Sequence, residues 1–266
     1  MAADENRGKA DDGIALARED GVAIVTLDRP ARRNAVTLAM WRKLGALFHG
    51  FAKERSVRAV ILTGAGGHFS AGADIGEFAT LRHTVALGIA YEDAVEACET
   101  AIAELAKPTI AAVAGYCVGG GCGLALACDF RIAARDARFA ITPAKLGIVY
   151  GLRETRYLYR AVGLAHAKRI LFTAEQLDAG EALRIGLVER VVEGAPLEAA
   201  RALAAQLAAL APRSIAGAKH ILNALAEGRA EPAEAARLTA EALASADYRE
   251  GVAAFGAKRR PRFTGA

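Results

Sequence analysis

From Pro108 to Cys128 the chain carries no charged residue, a length that suits a membrane-spanning helix. Its composition argues otherwise. Gly115, Gly119, Gly120, Gly121 and Gly123 fall inside it, with much alanine and little leucine, and five glycines weaken a lone helix. A buried strand over Thr109 to Ala114, a glycine turn, and a short buried helix from Gly121 to Cys128 fit better. A buried strand, turn and helix are therefore expected in preference to a membrane span.

The same grammar recurs along the chain. Val22 to Leu27 reads as a buried strand ended by Asp28-Arg29-Pro30, and Val57 to Leu62 as another, ended by Gly64-Ala-Gly-Gly67. Between them Thr37 is placed to cap a helix whose Trp41, Leu44, Phe48 and Phe51 share one face. Ile89 to Ala106 reads as a long helix stopped by Pro108. Phe130 to Ala134, Arg138 to Ile141 and Leu187 to Val192 are further strand candidates. Strands alternating with helices give an α/β class. Residues 1–12 read as a disordered leader, 13–195 as the α/β core, and 196–266 as an alanine-rich helical region. Leu203, Leu207 and Leu210 share a face there, as do Ile215, Leu222 and Leu225. That face covers either the chain's own core or a neighbouring subunit.

Charge narrows the partners. The 266-residue chain has 34 basic and 30 acidic residues, hence +4, and the excess sits in the tail at Lys258, Arg259, Arg260 and Arg262. A neutral body lacks the basic stripe that a nucleic-acid face needs, while a short basic tail suits one small polyanion. Cys98, Cys117, Cys122 and Cys128 form no C-x-x-C pair, and the polar start has no apolar signal core. Free thiols in a reducing cytoplasm are the expectation. The five histidines form no H-E-x-x-H, so no metal is expected.

Two glycine-rich turns follow buried strands: Gly64 to Asp74, and Gly119 to Gly123. Glycine lets backbone approach a ligand closely. A dinucleotide loop G-x-G-x-x-G in the first turn would need glycine where Phe69 stands. The second turn opens a helix, whose N–H groups favour negative charge. One N–H donor from each turn would form an oxyanion hole.

Leu27-Asp-Arg-Pro30, Asn34-Ala35, Phe69-Ser-Ala-Gly-Ala-Asp-Ile75, Ala114-Gly-Tyr-Cys-Val-Gly-Gly-Gly-Cys122 and Cys128-Asp129 occur in this order, with Asp247 to Phe255 and Lys258-Arg-Arg-Pro261 at the end. From about Gly21 to Phe263 the chain resembles the crotonase, or enoyl-CoA hydratase/isomerase, superfamily. The resemblance implies a spiral of ββα units with a C-terminal helical trimerisation region, assembled as a homotrimer or dimer of trimers. It implies an acyl-CoA substrate, with coenzyme A entering only as part of that substrate and no other cofactor. Matched position by position, the oxyanion-hole amides fall on Ala73 and Gly120, and an adenine contact on Ala71. Arg29 and Arg33 are candidate phosphate contacts, although basic residues beside a turn are more often simply solvated. The tail with Lys258 either reaches coenzyme A phosphates, on this or a neighbouring subunit, or stays in solvent. Asp74, Gly119, Pro143 and Ala144 count among the candidate substrate contacts.

One departure matters. Hydratases of the family carry two acid/base glutamates; here those positions hold Gly123 and Ala144. Neither can move a proton, so ordinary hydration is expected to be weak. Thr142-Pro-Ala-Lys-Leu-Gly-Ile-Val-Tyr150 is similar to the segment of the family's methylmalonyl-CoA decarboxylases, although Ala73 stands where those carry histidine. Decarboxylation makes an enolate without removing an α-proton. In that reading Tyr150 is a hydroxyl donor in the acyl pocket, its ordinary pKa near ~10 keeping it protonated; the alternative is a packing tyrosine. Glu77, Arg153 and Glu154 read as surface charge or a helix start. A non-catalytic acyl-CoA-binding protein is the third reading.

Overall fold

The apolar runs become parallel strands buried on both faces, as continuous Val/Ile/Leu/Ala segments should. The computed structural model describes residues 13–266; the leader expected over 1–12 lies outside them. In chain order the elements are β1 (Ile14–Glu19), β2 (Val22–Leu27), α1 (Leu38–Lys53), β3 (Ala59–Gly64), α2 (Phe78–Leu81), α3 (Val85–Ala103), β4 (Thr109–Val113), β5 (Tyr116–Val118) and α4 (Gly120–Ala127). There follow β6 (Phe130–Ala134), β7 (Arg138–Ala140), α5 (Pro143–Leu146), α6 (Leu152–Thr173), β8 (Gln176–Asp178), α7 (Ala179–Arg184) and β9 (Arg190–Val192). The helices α8 (Pro196–Ala208), α9 (Pro212–Ala226), α10 (Pro232–Ala244) and α11 (Ala246–Gly256) complete the chain.

A six-stranded sheet runs β1-β2-β3-β4-β6-β9, with β1 antiparallel to β2 and every other pair parallel. A second sheet, β5-β7-β8, branches beside it. The register aligns Ile24 with Ile61, Ile61 with Ile110, and Ala112 with Ile132. Because side chains alternate across a strand, these residues make one face, buried under Ala200 and Ala204 of α8. Val25, Leu62, Ala111 and Ala133 make the opposite face, under α1, α3 and α4.

The Thr37 hydroxyl accepts from the Met40 N–H and caps α1, and Trp41, Leu44, Phe48 and Phe51 are buried, as their spacing requires. Each such burial is worth about 1.5–3 kcal/mol. Other expectations need correction. The long helix starts at Val85 because Thr84 caps it, and it ends at Ala103. The last strand shrinks to Arg190–Val192, because Leu187 and Val188 turn and bond the Ala182 carbonyl. Three strands were not expected: β1, β8, and β5, which lies inside the supposed glycine turn. The helix α6 breaks at Gly163, whose φ is +73°.

Candidate active site

Two loops are stapled edge to edge. Asn34, fully buried, donates through Nδ2 to the Ala65 carbonyl at 2.8 Å and the His68 carbonyl at 2.7 Å, while its Oδ1 accepts from the Arg29 N–H at 2.9 Å. The Ser70 hydroxyl donates to the Asn34 carbonyl at 2.8 Å and accepts from the Gly72 N–H at 3.0 Å. Ser70 N–H bonds the Tyr116 carbonyl, and Val118 N–H bonds the Ser70 carbonyl. The second loop thereby lies against the first. Gly72 has φ +93°, and a Cβ there would sit 2.6 Å from the Val118 carbonyl oxygen, so only glycine permits the approach.

The approach brings two amides together. A side chain on Gly120 would begin 3.7 Å from the Ala73 nitrogen. Neither the Ala73 nor the Gly120 N–H has a hydrogen-bond partner among the described residues. The Gly120 amide is the first N–H of α4, where the helix supplies no acceptor. Both residues line a cavity of about 110 Å³.

The Tyr150 hydroxyl lines the same cavity buried and without a partner, and beside it on the wall the Trp41 Nε1–H faces the Tyr91 hydroxyl. Buried polar groups are normally satisfied, so such a wall suits a polar ligand. Burial pushes the Tyr91 hydroxyl up to about 12 and Tyr150 well above its ordinary value; both are donors, not bases, near neutral pH. Arg82 stacks over the Phe78 and Tyr91 rings, at 4.5 and 5.2 Å, and pairs with Glu92.

Glu154 is the carboxylate here without a cation partner. It sits in the first turn of α6, and its Oε2 accepts from the Gly151 N–H at 2.8 Å. Its helix-start position was legible, but it is not a surface charge: it is 7% exposed and lines the cavity. Burial pushes its carboxyl up to about 7, against the opposing pull of the Gly151 N–H. Behind the cavity wall, Glu99 on α3 is wholly buried with neither oxygen bonded. A Cβ at Gly123 would lie 2.0 Å from Glu99 Oε1 and 3.4 Å from the Tyr150 hydroxyl. The space a side chain at 123 would take is filled by a carboxyl from another helix.

Of the residues singled out in the sequence, Ala71, Ala73, Gly119, Gly120, Pro143 and Tyr150 meet around this cavity. Others do not. The Arg29 guanidinium bonds Asp74 at 2.9 Å and the Ala35 carbonyl at 2.7 Å, so it braces the loop and is not among the residues lining the cavity. Asp74 is held by that pair and accepts from the Gly76 N–H. Arg33 is exposed, 4.9 Å over the Tyr116 ring. Ala144 is exposed and off the cavity wall. Lys258 is exposed in a tail that Arg259 ties back to Glu250 on α11, away from this chain's cavity. Glu77 accepts from the Leu38 N–H, and Arg153 pairs with Glu96 at 3.1 Å. Trp41 as a site residue, Tyr91, Arg82 and Glu99 were missed. The available signal for Glu99 was an acid set into the apolar stripe of Tyr91, Val95, Cys98 and Ile102.

Among the described residues no group of three or more His, Cys, Asp or Glu is placed to hold a metal, and no helix is long and apolar enough to cross a membrane. All four cysteines are buried thiols.

Comparison with known proteins points one way. The family model described as enoyl-CoA hydratase/isomerase matches residues 17–266. A short-chain-enoyl-CoA hydratase of Clostridium acetobutylicum is 36% identical over 253 residues, covering 93% of this chain and 95% of its own. The structure of an enoyl-CoA hydratase/carnithine racemase from Magnetospirillum magneticum superposes with a TM-score of 0.92 at 38% identity, covering 98% of this chain and 97% of the other. An enoyl-CoA hydratase from Bacillus anthracis gives 0.88 at 31%, over 96% and 100%.

Proposed function

Since the chain belongs to the enoyl-CoA hydratase/isomerase family, with its crotonase fold and acyl-CoA chemistry, we propose that it moves a proton on an acyl-CoA thioester through an enolate. The observation that carries this reading is the pair of unpartnered amides, Ala73 and Gly120, facing the same cavity as Glu154. In it, the thioester oxygen accepts from both N–H groups. As the α-proton leaves, negative charge builds on that oxygen, where fixed donors and the α4 N-terminus stabilise it most.

Glu154 takes the proton. With its carboxyl near 7, a large fraction is ionised at neutral pH, and the proton it accepts is held well enough to be returned. Taking a proton from one carbon and returning it to another shifts a double bond and needs a single carboxylate. Hydration needs a second group to activate water, and Gly123 and Ala144 leave both usual positions without one. Double-bond isomerisation is therefore the activity favoured, with hydration weak.

Decarboxylation of a carboxylated short-chain acyl-CoA is the second reading, supported by the buried Tyr150 hydroxyl on the cavity wall. Two features weigh against it. Arg82, the cation on the wall, is already paired with Glu92, and an ionised Glu154 repels a second carboxylate. For coenzyme A, the exposed Arg33 is the phosphate contact retained, with Lys258 reaching a neighbouring subunit's ligand. A trimer or dimer of trimers would cover Leu222, Leu225, Leu243 and Phe255, apolar and exposed on α9 to α11; light scattering of a monomer at micromolar concentration would refute that assembly.

The test is incubation with enoyl-, hydroxyacyl- and malonyl-type CoA esters, with products read by mass spectrometry. A positional enoyl isomer without mass change is expected. Loss of carbon dioxide would select the second reading. No turnover of any ester would leave the non-catalytic acyl-CoA-binding reading standing.

A further inference from the structure

Glu99 has no role in the scheme above, and its setting is unusual. It is fully buried, and both carboxyl oxygens lack a hydrogen-bond partner. The charged groups facing it are Glu154, Glu92 and Glu96, all acids. A carboxylate deprived of both water and cations is strongly disfavoured, so the group is a neutral acid carrying an O–H. That O–H is a buried donor in need of an acceptor. Across the space left by the missing Gly123 side chain stands the Tyr150 hydroxyl, also buried and unpartnered. Each is the natural complement of the other: a carboxylic O–H to give, and a phenolic oxygen able to accept while donating its own hydrogen onward. Tyr150 lines the cavity and Glu99 does not.

We propose that Glu99 is a positioning residue: by a turn of its side chain across the gap beside Gly123, its carboxyl donates to the Tyr150 oxygen and so aims the Tyr150 hydrogen at the acyl group. Gly123 belongs to the arrangement, because any side chain there would collide with the carboxyl. A chain of hydrogen bonds polarises its members, so Tyr150 becomes a stronger donor than an isolated phenol. The proposal rests on the cavity being the acyl site, and its test separates the two ideas.

Infrared spectra of the full chain at pH 9, in H₂O and D₂O, give the readout that does not depend on turnover. A protonated-carboxyl band is expected, absent in Glu99→Leu and moved in Tyr150→Phe. Absence of the band, or a band indifferent to Tyr150→Phe, overturns the proposal even if an ester is turned over. If no ester is turned over, the catalytic reading fails and this band alone decides the contact. On an ester that reacts, Glu99→Leu should lower kcat about tenfold, the size of one lost buried hydrogen bond, with little change in KM. Glu99→Gln, whose amide N–H donates from the same place, should restore most of that loss. Glu99→Leu/Tyr150→Phe should be no slower than Tyr150→Phe alone. A merely structural Glu99 predicts the reverse: parental kcat in a folded Glu99→Leu protein, or additive losses in the double variant.

Discussion

Replacing Glu154 with glutamine separates stability from catalysis in opposite directions. The carboxyl titrates near 7 in the folded protein against an ordinary 4.5. Between those values the native state holds a proton that the unfolded chain has released, so stability falls as pH rises from 4.5 through 7 and is level above. The shift corresponds to about 3 kcal/mol of destabilisation at pH 8. Glutamine carries no charge and its carbonyl still accepts from the Gly151 N–H, which now bonds Glu154 at 2.8 Å. Glu154→Gln should therefore be more stable than the parent at pH 8 by roughly 2 kcal/mol, after allowing for a weaker uncharged hydrogen bond. At pH 4 the two should be nearly equal. Urea unfolding at both values measures this. On the ester identified by the product screen, the parent kcat should rise with pH around 7, and the variant should lose ~10²–10⁴ in rate. A stability difference that does not change with pH would refute the burial argument. Parental turnover in the variant would refute the assignment of Glu154 as the proton carrier.

Gly120→Pro removes one proposed oxyanion donor and should cost on the order of 3 kcal/mol in the transition state. Gly120→Ala is the control, since its Cβ meets the same Trp41 ring at 2.9 Å but keeps the N–H; equal kcat/KM in the two, with folding verified by circular dichroism, would remove Gly120 from the chemistry. Asn34→Ala deletes three part-buried hydrogen bonds of a fully buried side chain and strands the Ala65 and His68 carbonyls. It should destabilise by about 2–4 kcal/mol in urea unfolding, and a loss under 1 kcal/mol would show that the loops hold without it. Gly123→Ala drives a methyl into Glu99 and should lower stability by roughly 1–3 kcal/mol. A calorimetric Tm that fails to recover in Glu99→Ala/Gly123→Ala would show that the collision lies elsewhere.

The legible parts of this protein are those set by local chemistry. Val22 to Leu27 and Thr109 to Val113 are strands because each is an almost unbroken apolar run, and α1 starts at Thr37 because its hydroxyl caps it. The glycine turns were legible as places where backbone approaches closely, and the structure brings their amides into one cavity. What was illegible depends on partners far along the chain. β5 and β8 are three residues each and owe their extended form to pairing with β7. Glu154 looked like any acid at a helix start, since only the walls folded around it remove the water. Glu99 was not singled out: its place in an apolar stripe was visible, but its meaning comes from Gly123, 24 positions away in the sequence, yielding it room.

The two-faced sheet has a consequence for how such a protein can change over generations. Ile24, Ile61, Ile110 and Ile132 are clamped under α8 by Ala200 and Ala204, while the alternate residues of the same strands support the helices that carry Trp41, Glu99 and Gly120. Substitutions on the α8 face are shielded from the cavity by the sheet itself, and effects at separated, uncoupled sites add instead of compounding. One side of the scaffold can thus guarantee folding while the other is rewritten.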